Sequence, residues 1–317
     1  MPIFALQISP EAQSAYFKQT LEVCSQELAF TQDGLDPQHH AIGPLNFFWI
    51  DIPGQELKNL ARLSFVQGCY RVHDKQLEPI AQDGEFHLHE DFVFGSKYKG
   101  KTNERLTQML INVGLAALGN PSPKKVKLLD PMCGRGTTLF WAARYGMKAR
   151  GIEQDPKALE DIRRNFKKWT KIHKVKHTLK DGFVGKTNKK NQGKFLEINV
   201  ADTHLKFVIG DSRDIQASLK DESFNLIVSD LPYGVQHFTT EKTRNPLDVI
   251  QESLASWHKC LKPGGAIVLA FNSNIPKRDA LVQTVREAGF NAIDFAAPHR
   301  MSESIVRDVV VFQKNEA

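Results

Sequence analysis

Short apolar runs and amphipathic stretches alternate along residues 97–315, which is the pattern of a sheet covered by helices. The apolar runs predict strands at 126–130, 148–153, 206–211, 224–230, 266–271, 291–296 and 305–313. Apolar residues three and four positions apart predict helices between them, ending near 118, 145 and 169 and covering 247–261 and 279–288. Strands and helices that alternate in this way predict a doubly wound α/β sheet.

Residues 1–95 have a different pattern and predict a separate, small α+β domain, followed by a second domain over 96–317. Ser9 precedes Pro10 at a predicted helix start, residues 46–52 have the pattern of a strand, and residues 55–66 have that of a helix. We interpret the aromatic residues 47–49 as core rather than as a surface on which nucleic-acid bases stack. The pattern alone does not indicate what this domain does, although RNA binding is one possibility for it.

The composition is that of an ordinary globular protein, with 41% hydrophobic and 25% charged residues in 317. No apolar run is long enough to cross a membrane, and the N-terminus lacks the pattern of a signal peptide, so we expect a cytoplasmic protein with no membrane partner. The four cysteines lie far apart in the sequence and form no C-x-x-C pair. They predict neither a disulfide framework nor a zinc site, and we expect no metal.

Positive charge is concentrated in one segment, Arg163 to Lys194. It contains twelve Lys or Arg residues and a single acid, a balance of +11, so the rest of the chain sums to 6 − 11 = −5. The segment has the composition of a solvated loop or insertion. Two interpretations stay open: a surface that contacts phosphates, or a loop that only keeps the protein soluble.

A glycine turn follows the first strand of the second domain, in the stretch Asp130-Pro131-Met132-Cys133-Gly134-Arg135-Gly136-Thr137. Two glycines one residue apart let the backbone fold tightly beneath a ligand, because glycine has no Cβ. The dinucleotide fingerprint needs a third glycine, and that position is Leu139. The turn therefore predicts a nucleotide-like ligand without identifying it.

Three acids end successive strands at Asp130, Glu153 and Asp211. The carboxyl ends of parallel strands line one crevice, so these side chains should meet there. Glu153 lies 19 residues after Gly134, the spacing at which an acid accepts hydrogen bonds from ribose hydroxyls. Asp211 could then accept one from an adenine amino group. Each acid by itself could equally be a strand-end cap.

A second motif, Ser229-Asp230-Leu231-Pro232-Tyr233-Gly234, follows a buried strand. Its carboxylate, proline-stiffened turn and aromatic ring suit a planar group that bears an amine. Asp230 and the Leu231 carbonyl can accept the two amine hydrogens, and base stacking on an aromatic ring contributes about 1–3 kcal/mol. A structural turn with a core tyrosine is the alternative.

Together, the motifs at 130–137 and 229–234 resemble those of the S-adenosylmethionine-dependent amino-methyltransferases. The similarity is greatest to the THUMP-associated tRNA guanosine-N2-methyltransferases and their bacterial relatives, although residues 1–95 contain no recognisable THUMP domain. The resemblance implies a Rossmann-like class I methyltransferase fold: a seven-stranded, mostly parallel sheet with helices on both faces, beside the small N-terminal α+β domain. Arg135 departs from the family, because a small residue is common at its position.

The resemblance also implies the site. Asp230, Leu231, Pro232 and Tyr233 would be catalytic and would receive the target base. The cofactor-binding residues would be Thr102, Asp130, Met132, Cys133, Gly134, Gly136, Thr137, Glu153, Gln154, Asp211 and Ser212.

The implied activity is transfer of a methyl group from S-adenosylmethionine to the exocyclic amine of a nucleobase in RNA, with guanine N2 in tRNA favoured. The segment Arg163 to Lys194 would then bind RNA phosphates. The alternatives are adenine-N6 methylation of RNA or DNA, methylation of a glutamine side chain, and a non-catalytic RNA-binding protein on the same fold. A nicotinamide dehydrogenase is disfavoured because it leaves residues 230–233 unexplained.

Overall fold

The structure is a computed structural model that describes residues 3–32, 34–54, 57–74, 76–81, 86–98, 101–184, 192–217, 219, 221–232 and 246–316. Tyr233, a predicted catalytic residue, lies outside the described residues, as does the basic stretch 185–191.

The helices of the described part of the chain are α1 (Pro10–Tyr16), α2 (Thr20–Thr31), α3 (Leu57–Leu60), α4 (Asp91–Phe94), α5 (Glu104–Ala117), α6 (Thr137–Arg144), α7 (Ala158–Ile172), α8 (Leu247–Cys260) and α9 (Arg278–Glu287). The strands of the first half are β1 (Ile3–Ile8), β2 (Gln38–Ile42), β3 (Leu45–Asp51), β4 (Val66–His73), β5 (Gln76–Ile80), β6 (Lys127–Asp130) and β7 (Lys148–Glu153). Those of the second half are β8 (His177–Phe183), β9 (Lys194–Val200), β10 (Thr203–Ile209), β11 (Phe224–Asp230), β12 (Leu261–Asn272), β13 (Phe290–Ile293), β14 (His299–Arg300) and β15 (Val306–Lys314).

The larger sheet has the order β13-β15-β12-β11-β6-β7-β10-β9-β8, with β14 paired to β15. Strands β10, β7, β6, β11 and β12 are parallel neighbours, and β15 runs antiparallel between β12 and β13. These are the seven strands that the sequence predicts, and the strand order reverses at β6, as in a doubly wound sheet. The Rossmann-like prediction is confirmed, and β8, β9 and β14 extend the sheet beyond seven strands.

Adjacent residues in the central strands face two different cores. Leu128 and Leu226 pack in a core with α5, α6 and α7, whereas Leu129 and Ile227 pack with α8 and α9 on the other face. This follows from the alternation of side chains along a strand, and continuous apolar runs are expected when both faces are covered. The same arrangement leaves the carboxyl ends of the parallel strands as the open edge where a ligand can bind.

The basic segment is more ordered than the loop that its composition predicts. Its first part belongs to α7, and its middle forms β8, which pairs with β9 in an antiparallel hairpin at the β10 edge of the sheet. The prediction of a solvated loop is therefore wrong for β8, whereas α7 contains the helix that was predicted to end near residue 169. Here Leu179 packs against the core opposite Ile198, and this burial outweighs the polar composition around it.

Residues 3–80 form a five-stranded antiparallel sheet of order β2-β3-β1-β4-β5 with α1 and α2 on one face. Ser9 caps α1 by accepting a hydrogen bond from the Ala12 backbone, as predicted. The helix predicted over 55–66 is shorter, because Val66 starts β4 and pairs with Ile8 of β1. Phe48 packs in the core, whereas Trp49 is half-buried on the opposite face.

A buried polar network joins this region to the larger sheet. Glu27 of α2 accepts hydrogen bonds from Asn112 of α5 (2.7 Å) and from the Ser64 backbone (3.0 Å). Burial raises the pKa of Glu27, although these hydrogen bonds act in the opposite direction. Apolar residues of α2 and α5 belong to one continuous core. Whether residues 1–95 fold as an independent domain stays a prediction. No helix in the described ranges is long and apolar enough to span a bilayer.

Candidate active site

The glycine turn between β6 and α6 is held against the end of β7. Gly134 and Gly136 have φ of 51° and 85°, which glycine adopts without the penalty that other residues incur. The Gly134 backbone N–H donates to Glu153 Oε2 (2.8 Å), and the Asp155 N–H donates to Oε1 (2.8 Å). A Cβ added at Gly134 would meet no atom within 4 Å, so the turn leaves open space on that side.

Asp130 is buried at the end of β6 and connects the two sequence motifs. Its Oδ1 accepts hydrogen bonds from the Met132 backbone (3.1 Å) and from Ser229 Oγ (2.9 Å). Burial, with a further contribution from the charge of Asp230, raises the pKa of Asp130 to about 6. Because Ser229 directly precedes Asp230, the glycine turn and the second motif share one hydrogen-bonded wall.

Asp211 follows β10 at the same edge, but an arginine that the sequence analysis missed is paired with it. Arg213 donates to both carboxylate oxygens, with Nε–Oδ1 at 3.0 Å and Nη2–Oδ2 at 2.7 Å. Burial raises the pKa of Asp211, but the hydrogen bonds from Arg213 outweigh burial and hold this pKa below its usual value. A ligand amine at Asp211 would therefore share the carboxylate with a guanidinium.

Asp230 ends β11 and is nearly buried. Its Oδ2 lies 3.6 Å from Arg307 Nη2, and only 8% of the Asp230 side chain and 4% of the Arg307 side chain are exposed. Leu231 is buried, and its backbone N–H donates to the Ala270 carbonyl (2.9 Å), which extends the strand pairing past Asp230. Pro232 is partly exposed. The start of the second motif is thus fixed to the sheet.

Two other predicted cofactor residues, Thr137 and Thr102, are placed by contacts of α6. Thr137 begins α6, and its Oγ1 lies 3.0 Å from the Tyr98 hydroxyl. Thr102 lies between Tyr98 and Glu104, and the Glu104 carbonyl accepts a hydrogen bond from Trp141 of α6. The segment that contains Thr102 therefore runs beside the start of α6.

The remaining predicted positions differ in exposure. Met132 is partly buried and Cys133 is buried, and burial raises the pKa of the Cys133 thiol. Gln154 is exposed, and its side chain hydrogen-bonds Asp211. Ser212 is buried beneath α8, where its carbonyl accepts a hydrogen bond from the Trp257 indole (3.3 Å). The carbonyl of Ser212 thus supports α8.

Arg135, the residue that departs from the family pattern, is paired within the turn region. Its Nε donates to Asp161 Oδ2 (2.8 Å), and its Nη2 lies 3.8 Å from Asp155 Oδ2. Its guanidinium also lies 5.4 Å from the centre of the Tyr98 ring. Arg135 therefore ties the turn to the start of α7.

One cluster of potential metal ligands lies outside this site. The ligand atoms of His89, Asp91 and His173 are within 4.8 Å of one another. Their present contacts are internal: His173 Nε2 lies 2.8 Å from Asp91 Oδ2, the two imidazole rings stack at 3.9 Å, and His89 Nδ1 accepts from the Asp91 backbone. The absence of a metal stays a prediction.

The basic segment reaches the edge where the acids meet. Strand β8 runs in the same direction as β10, so the end of the hairpin lies at the carboxyl edge of the sheet. There the Val184 N–H donates a hydrogen bond to the Gly193 carbonyl. The Gly193 N–H in turn donates to the carbonyl of Ile209, two residues before Asp211. Phe183, with 65% of its surface exposed, lies at this end of β8.

Residues 108–293 match the protein family described as "UPF0020: RMKL-like, methyltransferase domain". A curated relative, the tRNA (guanine(10)-N2)-dimethyltransferase of Methanothermobacter thermautotrophicus, is 24% identical over 173 residues. The match covers 55% of this chain and 39% of the relative, so this chain corresponds to about two fifths of that protein.

Two solved structures resemble this one at low identity. TrmN from Thermus thermophilus is 14% identical with a TM-score of 0.46, over 88% of this chain and 60% of that one. The putative RNA methyltransferase PH1948 from Pyrococcus horikoshii is 13% identical with a TM-score of 0.43, over 73% of this chain and 90% of that one.

Proposed function

Because this chain belongs to the UPF0020 family of RMKL-like methyltransferase domains, we propose that it methylates the exocyclic amine of a nucleobase in RNA, with guanine N2 in tRNA as the favoured target. The observation that carries the proposal is the wall shared by the two motifs. Ser229 hydrogen-bonds Asp130 of the first motif, and the next residue, Asp230, begins the amine-binding motif. A methyl donor and an acceptor amine bound at these motifs would be neighbours.

S-adenosylmethionine is the cofactor of this methyltransferase domain. The residues present fit it: Gly134 leaves open space above the turn, and carboxylates stand at the ends of β6, β7 and β10. In the proposed arrangement, Asp130 and the turn hold the methionine part. Glu153 accepts from the ribose hydroxyls with the lone pairs that its two backbone donors leave. Asp211, whose carboxylate is hydrogen-bonded by Arg213, faces the adenine.

The cofactor supplies a methyl group on an already activated sulfonium. The protein's task is to place the amine in line with that group, and such positioning can contribute about 7–11 kcal/mol to lowering the barrier. Transfer would form an N–C bond as the C–S bond breaks, the sulfur would leave as a neutral thioether, and the nitrogen would release its proton to water. Asp230 accepts a hydrogen bond from the amine and stabilises the positive charge that develops on it. A target in a paired stem would have to be flipped out of the helix.

A carboxylate at position 230 favours guanine over adenine. An ionised carboxylate only accepts hydrogen bonds, and guanine presents two neighbouring donors, N1–H and the N2 amine. Adenine presents its amine beside N1, which is an acceptor and would face the carboxylate without a proton between them. The name of the curated relative, a guanine-N2-dimethyltransferase, supports the same target.

The charge distribution supports RNA as the substrate. The lysines of α7 and Lys180 of β8 are exposed, and the hairpin ends at the same edge as Asp211. Exposed cations bind phosphates and release counterions, and an exposed aromatic ring such as Phe183 can stack on a base. An RNA that lies on the hairpin would continue toward the strand-end acids.

The test is methylation of total RNA by the purified protein, with the product nucleosides identified by mass spectrometry. We expect N2-methylguanosine from the wild type. Asp230→Ala should abolish methyl transfer while calorimetry shows nearly unchanged cofactor binding. Asp279→Ala, which removes an exposed carboxylate of α9, should retain activity. Wild-type turnover by Asp230→Ala would refute the role of Asp230, and N6-methyladenosine as the product would move the target to adenine.

A further inference from the structure

Arg307 is a buried arginine beside the proposed amine pocket, and no sequence motif indicates its role. It lies on β15, opposite Asn272 of β12, while Asp230 lies opposite Ala270 of the same strand. The last strand of the fold thus brings a cation to the carboxyl end of β11. There Arg307 Nη2 lies 3.6 Å from Asp230 Oδ2, with both side chains almost entirely shielded from water.

The adjacent acid, Asp308, belongs to a different arginine. Arg278 Nη1 donates to Asp308 Oδ2 (2.6 Å) and to the Val309 carbonyl (2.9 Å), and the Asp308 Oδ1 accepts from the Ala297 backbone. Because Arg307 and Asp308 are adjacent on a strand, their side chains point to opposite faces of the sheet. The two arginine–carboxylate pairs therefore lie on opposite faces of the sheet, and only the Arg307 pair includes a residue of the second motif.

Burial of a guanidinium is costly unless a carboxylate balances it. A second carboxylate, Asp130, lies close enough that the charge of Asp230 contributes to raising its pKa. The ends of β6 and β11 thus hold two carboxylates in a space shielded from water, and Arg307 supplies a positive charge beside Asp230. Arginine suits this place because it keeps its charge when buried and its planar group has a fixed geometry.

We propose that Arg307 is a positioning residue for the methyl transfer: it holds the Asp230 carboxylate in the orientation in which that carboxylate accepts a hydrogen bond from the target amine. This inference rests on the proposed function. The fixed carboxylate sets the direction of the amine lone pair relative to the methyl group, and displacement of a reacting group by about 1 Å can lower a rate about 100-fold. Arg307 itself does not touch the methyl group or the amine.

The test compares Arg307→Met and Arg307→Lys with the wild type in single-turnover methylation at saturating RNA and cofactor. We expect the methyl-transfer rate of Arg307→Met to be about 100-fold below that of the wild type. The rate of Arg307→Lys should be only about tenfold below wild type, because lysine restores the positive charge without the planar geometry. The dissociation constants for cofactor and RNA should stay within about threefold of wild type. If Arg307→Met does not fold, the test compares the single-turnover rate of Arg307→Lys with that of the wild type.

Arg278→Met is the matched control, because it breaks the neighbouring arginine–carboxylate pair without touching Asp230. It should lower the unfolding temperature but leave the transfer rate within about threefold of wild type. An equal loss of rate in Arg278→Met and Arg307→Met would show that Arg307 acts through general stability, and would overturn the proposal. A fully active Arg307 variant would overturn it too.

A double-mutant cycle tests whether Arg307 acts through Asp230. In an Asp230→Asn background, Arg307→Met should reduce the remaining rate less than about threefold, because the carboxylate that it positions is gone. Losses that multiply would mean that Arg307 acts independently, contrary to the proposal. A wild type that methylates no RNA would refute the proposed function, whereas an active wild type with an equally active Arg307→Met would refute only the role of Arg307.

Discussion

Asp130→Asn should remove a pH dependence of stability that the wild-type protein owes to one buried carboxylate. Asp130 is 2% exposed, and burial raises its pKa from 3.8 to about 6. Between these pH values the folded protein keeps a proton that the unfolded chain has released. Stability therefore falls as the pH rises from about 4 to about 6, and stays lower above that range. Asparagine retains an acceptor oxygen for the Met132 and Ser229 donors but carries no charge.

The size of the effect follows from the two pKa values. The interval between 3.8 and about 6, at about 1.36 kcal/mol per pH unit, gives about 3 kcal/mol of destabilisation from the ionised carboxylate. About half of this is present at pH 5 and nearly all at pH 7. The difference in unfolding free energy between Asp130→Asn and wild type should therefore grow by about 1.4 kcal/mol in favour of the variant from pH 5 to pH 8.

Urea denaturation without cofactor at pH 5, 6, 7 and 8 measures this difference, provided that both proteins have the same m-value. Other titrating groups are common to both proteins and cancel in the comparison. A difference that stays constant within about 0.5 kcal/mol across the range would refute the assignment of a raised pKa to Asp130. A difference that grows as the pH falls would contradict the sign of the argument.

Two further predictions concern the turn and the RNA surface. Gly136→Ala should abolish cofactor binding in calorimetry or prevent folding. The reason is that φ at this position is 85° and the new Cβ would lie 2.5 Å from the buried ring of Phe207. Normal cofactor binding by the variant would show that the turn tolerates a side chain. Lys176→Gln with Lys180→Gln should weaken RNA binding in a titration and reduce its log–log salt slope by about 1–2, whereas neutralising Lys18 and Lys277, which are also exposed, should not. Equal effects of the two pairs would mean that net charge, rather than this surface, determines affinity.

The sequence predicted the second half of the chain better than the first. The apolar run at 224–230 became β11 at the predicted positions, and the predicted helices at 247–261 and 279–288 became α8 and α9 within a residue or so at each end. These elements are long or strongly periodic, so local pattern and tertiary packing agree. The helix predicted at 55–66 was too long because Val66 pairs with β1, a partner nearly sixty residues away that no local window contains.

The strand-end acids and the glycine turn could be found from sequence because each is a local motif at a strand end. By contrast, the arginines that pair with Asp211 and Asp230 were missed for two reasons. Arg213 lies two residues after Asp211, where one basic residue in a polar turn gives no signal. Arg307 lies 77 positions after Asp230 and reaches it only because β15 runs antiparallel beside β12.

The sequence by itself therefore determined the seven strands of the doubly wound sheet, where the glycine turn lies and which acids end its strands, because spacing and periodicity depend on near neighbours along the chain. Only the tertiary structure decided which charges face those acids, which part of the basic segment approaches their edge, and that Ser229 joins the two motifs through Asp130. Electrostatic partners depend on strand order and register. These are set by the packing of the whole sheet and cannot be derived from any one stretch of residues.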